Sequence, residues 1–66
     1  MRKPNVEPGQ VFQESDDPRE TWKVEKVLVD GMHVTLVNSL RPSRRKTFSV
    51  WALANRRYFT PALSAR

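Results

Sequence analysis

The stretch WKVEKVLVDGMHVTLVN, residues 22–38, decides how the rest of the chain is read. In its second half Met32, Val34 and Leu36 alternate with His33, Thr35 and Val37. A period of two rich in β-branched residues is that of a half-buried strand. WKVEKVLV, residues 22–29, is a second strand candidate, and Asp30-Gly31 lies between the two. Asp-Gly between apolar runs predicts a two-residue type I′ hairpin turn, whose central positions both need positive φ. Such a turn sets Val29 opposite Met32 and Val27 opposite Val34.

The first strand carries a parity conflict. Val27 and Val29 share one side, whereas Trp22 and Val24 fall on the other. A β-bulge near Glu25-Lys26 returns both pairs to one face and bends the strand. Without a bulge, Trp22 lies on the outer face. A long bent strand shared between two halves of a sheet is what a small barrel needs.

Outward from the hairpin, the punctuation continues to favour strands. GQVFQE (9–14) reads as a short first strand and SDDPRE (15–20) as a loop, with Pro18 suited to a type I turn. RPSR (41–44) reads as a turn, and KTFSVW (46–51) as a strand with Phe48 and Val50 on one face. ALAN (52–55) is too short for a stable helix and predicts a single 3₁₀ turn. RYFT (57–60) is the last strand, stopped by Pro61. The expected core is Val24, Val27, Val34, Leu36, Phe48, Val50 and Leu53. Residues 1–8 and 62–66 read as flexible tails around one domain at 9–61, with no repeat or linker.

This order defines an all-β expectation: a five-stranded SH3-like barrel with a single 3₁₀ turn before the last strand. It resembles Tudor, KOW and related small β-barrels. A meander that leaves the sheet open is the other reading of the pattern. PGQVF, DDPR, the alternating strand, RRKTFSV and RRY are together similar to small single-domain bacterial and phage proteins of uncharacterised function. That resemblance covers about residues 8–60 and implies a barrel without supplying an activity. Asp17, Arg19 and Tyr58 are the shared residues, and a structural role suits all three.

Composition bounds the function. A chain of 66 residues buries only roughly 60% of its unfolded surface. It has no cysteine, so neither a disulfide nor a thiolate metal site is available. Its single histidine, His33, makes a structural zinc site a poor expectation. Arg2 and Lys3 are followed by no apolar run, and no stretch nears the roughly 18 apolar residues of a membrane span. A soluble cytoplasmic protein is the expectation.

Catalytic groups are not assembled in the sequence. His33 has the strand parity of an exposed residue, and Ser39, Ser43 and Ser49 have no base nearby. Gly9 and Gly31 are the only glycines, so no glycine-rich loop cradles phosphates. Asp16 and Asp17 fit a turn in which one pairs with Arg19 and the other caps the backbone. No enzyme, cofactor or metal is expected.

Charge points elsewhere. Residues 1–30 hold all seven acids beside five basic residues, a net of −2, and residues 31–66 hold seven basic residues and no acid. Charge asymmetry between halves is a pointer to a polyanionic partner. Arg41, Arg44, Arg45 and Lys46 fall within six positions, and Arg56 and Arg57 precede the last strand. Hydroxyls and the aromatics Trp51 and Tyr58 are interleaved with them, a mixture that contacts phosphates and stacks on bases. Trp51 fits a barrel lid as well as a stacking platform. Arg41, Arg44, Arg45, Lys46, Trp51, Arg56, Arg57 and Tyr58 are the candidate site for single-stranded nucleic acid. The alternatives are an interaction module for an acidic or extended-peptide protein partner, with loop 14–20 beside Trp22 as one wall, and a basic surface that serves solvation alone.

Overall fold

The structure, a computed structural model, describes residues 3–62. Its order is β1 (Val11–Glu14), β2 (Asp17–Val27), β3 (His33–Asn38), β4 (Arg45–Ser49), α1 (Val50–Ala54) and β5 (Phe59–Pro61). The strands form one antiparallel sheet in the order β4-β3-β2-β1-β5. Among the described residues β4 and β5 share no ladder, and α1 bridges the gap by packing on both. The all-β class holds, and the sheet is open along this seam. The expected tail 62–66 lies, but for Ala62, outside the described residues, as do Met1 and Arg2.

The bulge is where parity demands it. Val24 pairs with Leu36 and Lys26 with Thr35, so Glu25 is the extra residue on β2. Trp22, Val24, Val34 and Leu36 consequently share one face, each at most 1% exposed. Phe12 on β1, Val50 and Leu53 on α1 and Phe59 on β5 complete the core. Val6 and Phe48 pack against it, and Phe48 meets Phe59 edge-on at 5.3 Å and 76°.

Two core expectations are corrected. Val27 sits opposite Val34, but at the hairpin end of the sheet, where it stays 37% exposed. Phe48 is half-buried because it borders the open seam. Phe12, Trp22 and Phe59 fill the space instead.

The hairpin keeps the expected register with a different turn. Leu28 N–H donates to the His33 carbonyl and Gly31 N–H to the Leu28 carbonyl, which leaves a four-residue loop, 29–32. Positive φ belongs to Gly31 (69°) and not to Asp30. Asp30 does other work: its Oδ1 accepts the N–H groups of Met32 (2.8 Å) and His33 (3.0 Å), and its Oδ2 pairs with His33 Nδ1 at 2.7 Å. The Met32 hydrogen bond, with His33 beside it, holds the Asp30 carboxyl below its ordinary pKa. A four-residue loop and a two-residue turn differ by one whole ladder pair, so Val27 still faces Val34.

Three boundaries also move. The loop expected at 15–20 shrinks to a turn at Ser15–Asp16, and β2 starts at Asp17. Pro18 is tolerated there because the β1–β2 register slips between Gln13 and Glu14, where no ladder N–H is required. The strand expected at 46–51 ends at Ser49, and the single 3₁₀ turn is an α-helical turn over Val50–Ala54. Ser49 Oγ accepts the Ala52 N–H at 3.1 Å, so the chain leaves the sheet two residues early and buries Val50 and Leu53 on one helix side. The last strand runs over Phe59–Pro61, later than expected and including the proline. Asn55 holds the preceding bend, its carbonyl accepting from Tyr58 and Phe59.

Candidate functional site

Strand alternation separates the basic cluster. Lys46 and Phe48 take the inward side of β4, whereas Arg45, Thr47 and Ser49 take the outward side. Arg44, just before β4, follows Lys46 inward. The guanidinium of Arg44 lies 5.4 Å, and the ammonium of Lys46 5.1 Å, from the centroid of the Trp22 ring. Both cations cover the indole, whose quadrupole attracts them. Trp22 is buried completely and donates its Nε1–H to Glu14 Oε2 at 2.9 Å.

This corner is a connected polar network. Arg44 approaches Glu20 Oε1 at 3.6 Å, and the same oxygen accepts from Asn38 Nδ2 at 2.9 Å. Asn38, only 3% exposed, accepts the N–H groups of Leu40 and Arg41 on its Oδ1. The turn RPSR then closes through Arg44 N–H to the Arg41 carbonyl, as its sequence predicts. Arg41 projects from this turn and is exposed.

The outward face is different. Lys23 on β2 stands beside Val37 on β3, which stands beside Arg45 on β4. The next outward row is Lys26, Thr35 and Thr47, and beyond it lie His33 and Ser49. Lys23, Lys26, Arg45 and Thr47 are exposed. Strand spacing of about 4.8 Å puts the Lys23 and Arg45 backbones about 10 Å apart. Glu25, turned outward by the bulge, supplies a carboxylate here and reaches Arg45 at 3.3 Å. Such an exposed pair is worth about 0–1 kcal/mol and leaves Arg45 exchangeable.

The remaining candidates lie elsewhere. Trp51, 40% exposed, is on the open side of α1, and α1 packs on the inward side of the sheet. Arg56, Arg57 and Tyr58 form the bend before β5, next to the β1–β2 turn: Ser15 Oγ donates to the Arg56 carbonyl at 2.6 Å, and Ser15 N–H to the Tyr58 carbonyl. Tyr58 is 52% exposed and Phe59 5%, as alternation predicts. The eight candidates therefore occupy four places: the Trp22 cover (Arg44, Lys46), the turn tip (Arg41), the outward face (Arg45) and the α1–β5 region (Trp51, Arg56, Arg57, Tyr58). Sequence reasoning missed Lys23 and Lys26, which join Arg45. The signal that finds them is the bulge, which puts Lys26 on the same side as Lys23.

The two adjacent aspartates also separate. Asp17 Oδ1 accepts from Arg19 Nε at 3.3 Å, and Asp16 makes no side-chain hydrogen bond or ion pair among the described residues. No helix among the described residues is long and apolar enough to cross a membrane. Comparison with known protein families, curated proteins and solved structures finds no match for this chain.

Proposed function

We propose that the protein is a small non-enzymatic binding module of SH3-like architecture that holds single-stranded nucleic acid by its phosphates. The strand order supports the architecture. Successive hairpins join β1 to β4, a helical turn follows, and β5 returns to pair with β1. The observation that carries the binding reading is the outward face of β2–β3–β4, where Lys23, Lys26 and Arg45 stand among Thr35 and Thr47, with the Glu25 carboxylate beside Arg45. Lysine and arginine neutralise phosphates, and hydroxyls donate to their oxygens.

The exposed aromatics Trp51 and Tyr58 lie off this face, so the contact is to backbone phosphates with little base stacking. Weak dependence on sequence and strong dependence on salt follow. Three neutralised phosphates on a single strand give a slope of log K against log salt of about −0.7 × 3, roughly −2.

The test is fluorescence anisotropy of labelled U20 and dT20 over a salt series. Lys23→Glu with Lys26→Glu should weaken binding to both about tenfold or more and flatten the slope, with the far-ultraviolet spectrum unchanged. Arg56→Glu with Arg57→Glu should matter less. Absence of binding by the parent protein at low salt, or an unaltered Lys23/Lys26 double variant, overturns the reading.

A further inference from the structure

The two free edges of the open sheet differ in what their backbones offer. Between β3 and β4 the Asn38 N–H donates to the Arg44 carbonyl, and the Val50 N–H to the Met32 carbonyl. Bonded and unbonded pairs alternate along an antiparallel ladder. Arg44, Lys46, Phe48 and Val50 therefore turn their backbone groups toward β3, and Arg45, Thr47 and Ser49 turn theirs to the free edge. Arg45 and Thr47 are exposed, and neither N–H has a partner among the described residues. The edge of β5 is the opposite case. The Ala62 N–H donates to the Val11 carbonyl and the Ser15 N–H to the Tyr58 carbonyl, which leaves Phe59 and Pro61 facing outward from the sheet. Phe59 gives its N–H to the Asn55 carbonyl, and Pro61 has none to give. Of the two edges, only that of β4 offers donors to an incoming strand.

We infer that the β4 edge binds an extended segment of a partner protein in which acidic and β-branched apolar residues alternate. A strand added beside β4 gains main-chain hydrogen bonds and continues both faces of the sheet. Its outward side chains lie next to Arg45 and Thr47, and its inward ones next to Lys46 and Phe48. On the inward side the seam holds a groove of about 320 Å³, bordered by Glu14, Asp16, Phe48, Ala52, Tyr58 and Phe59, whose surface is almost wholly apolar. Branched apolar side chains fit there. On the outward side charge complementarity selects carboxylates. β4 carries Arg45 and Lys46 and no acid, and the carboxylate paired with Arg45 belongs to an exposed, exchangeable Glu25. The same charges disfavour a second copy of this chain, since two β4 edges would bring like-charged strands together.

This inference is independent of the nucleic-acid reading, and one experiment separates them. The full-length protein is titrated with the capped peptide Ser-Glu-Val-Glu-Val-Glu-Ser and followed by amide chemical shifts and hydrogen exchange. At saturation the Arg45 and Thr47 amides should exchange about fivefold more slowly, and those of Lys46 and Phe48, already bonded within the sheet, should change less. Replacing the glutamates by glutamine should weaken binding about threefold or more, the scale of exposed charge pairs. N-methylation of the glutamates and of the valines is tested separately. The set whose nitrogens face β4 should weaken binding about tenfold or more, and the other set far less. Thr47→Pro, which removes an N–H that the ladder does not use, should weaken it as well. The Lys23→Glu, Lys26→Glu protein should bind the peptide within about twofold of the parent, because both positions lie beyond a Debye length from the added strand. Equal effects of the two methylations, full binding of the glutamine peptide, or no protection of Arg45 and Thr47 at millimolar peptide overturns the inference. So does protection of these amides that rises with protein concentration alone, which would assign the edge to a second copy.

Discussion

On the inward side of the sheet, Arg44 and Lys46 stand over a fully buried Trp22, and the Glu20 carboxylate beside Arg44 belongs to a network with Asn38 at its centre. On the outward side, Arg45 is an exposed residue held only by Glu25, beside Lys23 and Lys26 with no ion pair of their own among the described residues. Three consecutive basic residues thus do two kinds of work. Those turned inward, although themselves exposed, cover a buried aromatic ring. The one turned outward makes an exposed ion pair with Glu25. A run of like charges in a sequence measures neither the size nor the place of a binding surface, because a strand sends alternate members to opposite faces.

The comparison is broken most forcefully at its centre. Trp22→Ala should cost about 3–5 kcal/mol, the usual range for emptying a buried aromatic site. That equals the stability of about 3–5 kcal/mol available to a single core of this size. Urea titration by circular dichroism should find the variant largely unfolded. A cooperative transition near the parent's midpoint would show that the inward face does not depend on the indole.

A smaller effect tests the polar network behind it. Asn38→Ala leaves the Leu40 and Arg41 N–H groups and a Glu20 oxygen without their partner and should cost about 1–3 kcal/mol. Thr47→Ala on the outward face should stay within about 0.5 kcal/mol. Equal midpoints for the two would erase the distinction between the faces.

The finest test uses the cations themselves. Lys46→Ala should lose about 0.5–1 kcal/mol of its attraction to Trp22. Arg45→Ala should lose less, since an exposed pair is worth about 0–1 kcal/mol with the lower half usual. Tryptophan fluorescence adds a second reading: the Trp22 environment should change in the Lys46 variant and not in the Arg45 variant. The opposite ranking would mean that parity along β4 does not assign the two roles.

Much of the fold was legible because its signals are local. Alternation in 32–37, the glycine at 31, the proline turn at 41–44 and the parity conflict around Glu25 depend on backbone geometry within a few residues. They lead to the correct ladder, Val24 with Leu36 and Val27 with Val34. The Asp30 turn was misread because its side chain bonds two N–H groups that follow it, a competing local solution that an Asp-Gly pattern does not reveal. The helical turn was placed late because Ser49 reads equally as a strand residue and as a cap.

The candidate site was less legible, for a physical reason that separates the two sources of information. The sequence alone determined an all-β chain, the register of its central hairpin and the presence of a basic surplus, and it located a bulge near Glu25 as one of two readings that the ladder then decided. Only the tertiary structure decided which cations were occupied. Whether Arg44 and Lys46 cover Trp22, and whether Lys23 and Lys26 stand beside Arg45, depends on β4 lying along β3 and β3 along β2. Those neighbours are brought together by burial of the shared apolar face, a driving force without direction. Phe48 stays half-buried because the sheet stops short of closure between β4 and β5, which no local pattern encodes.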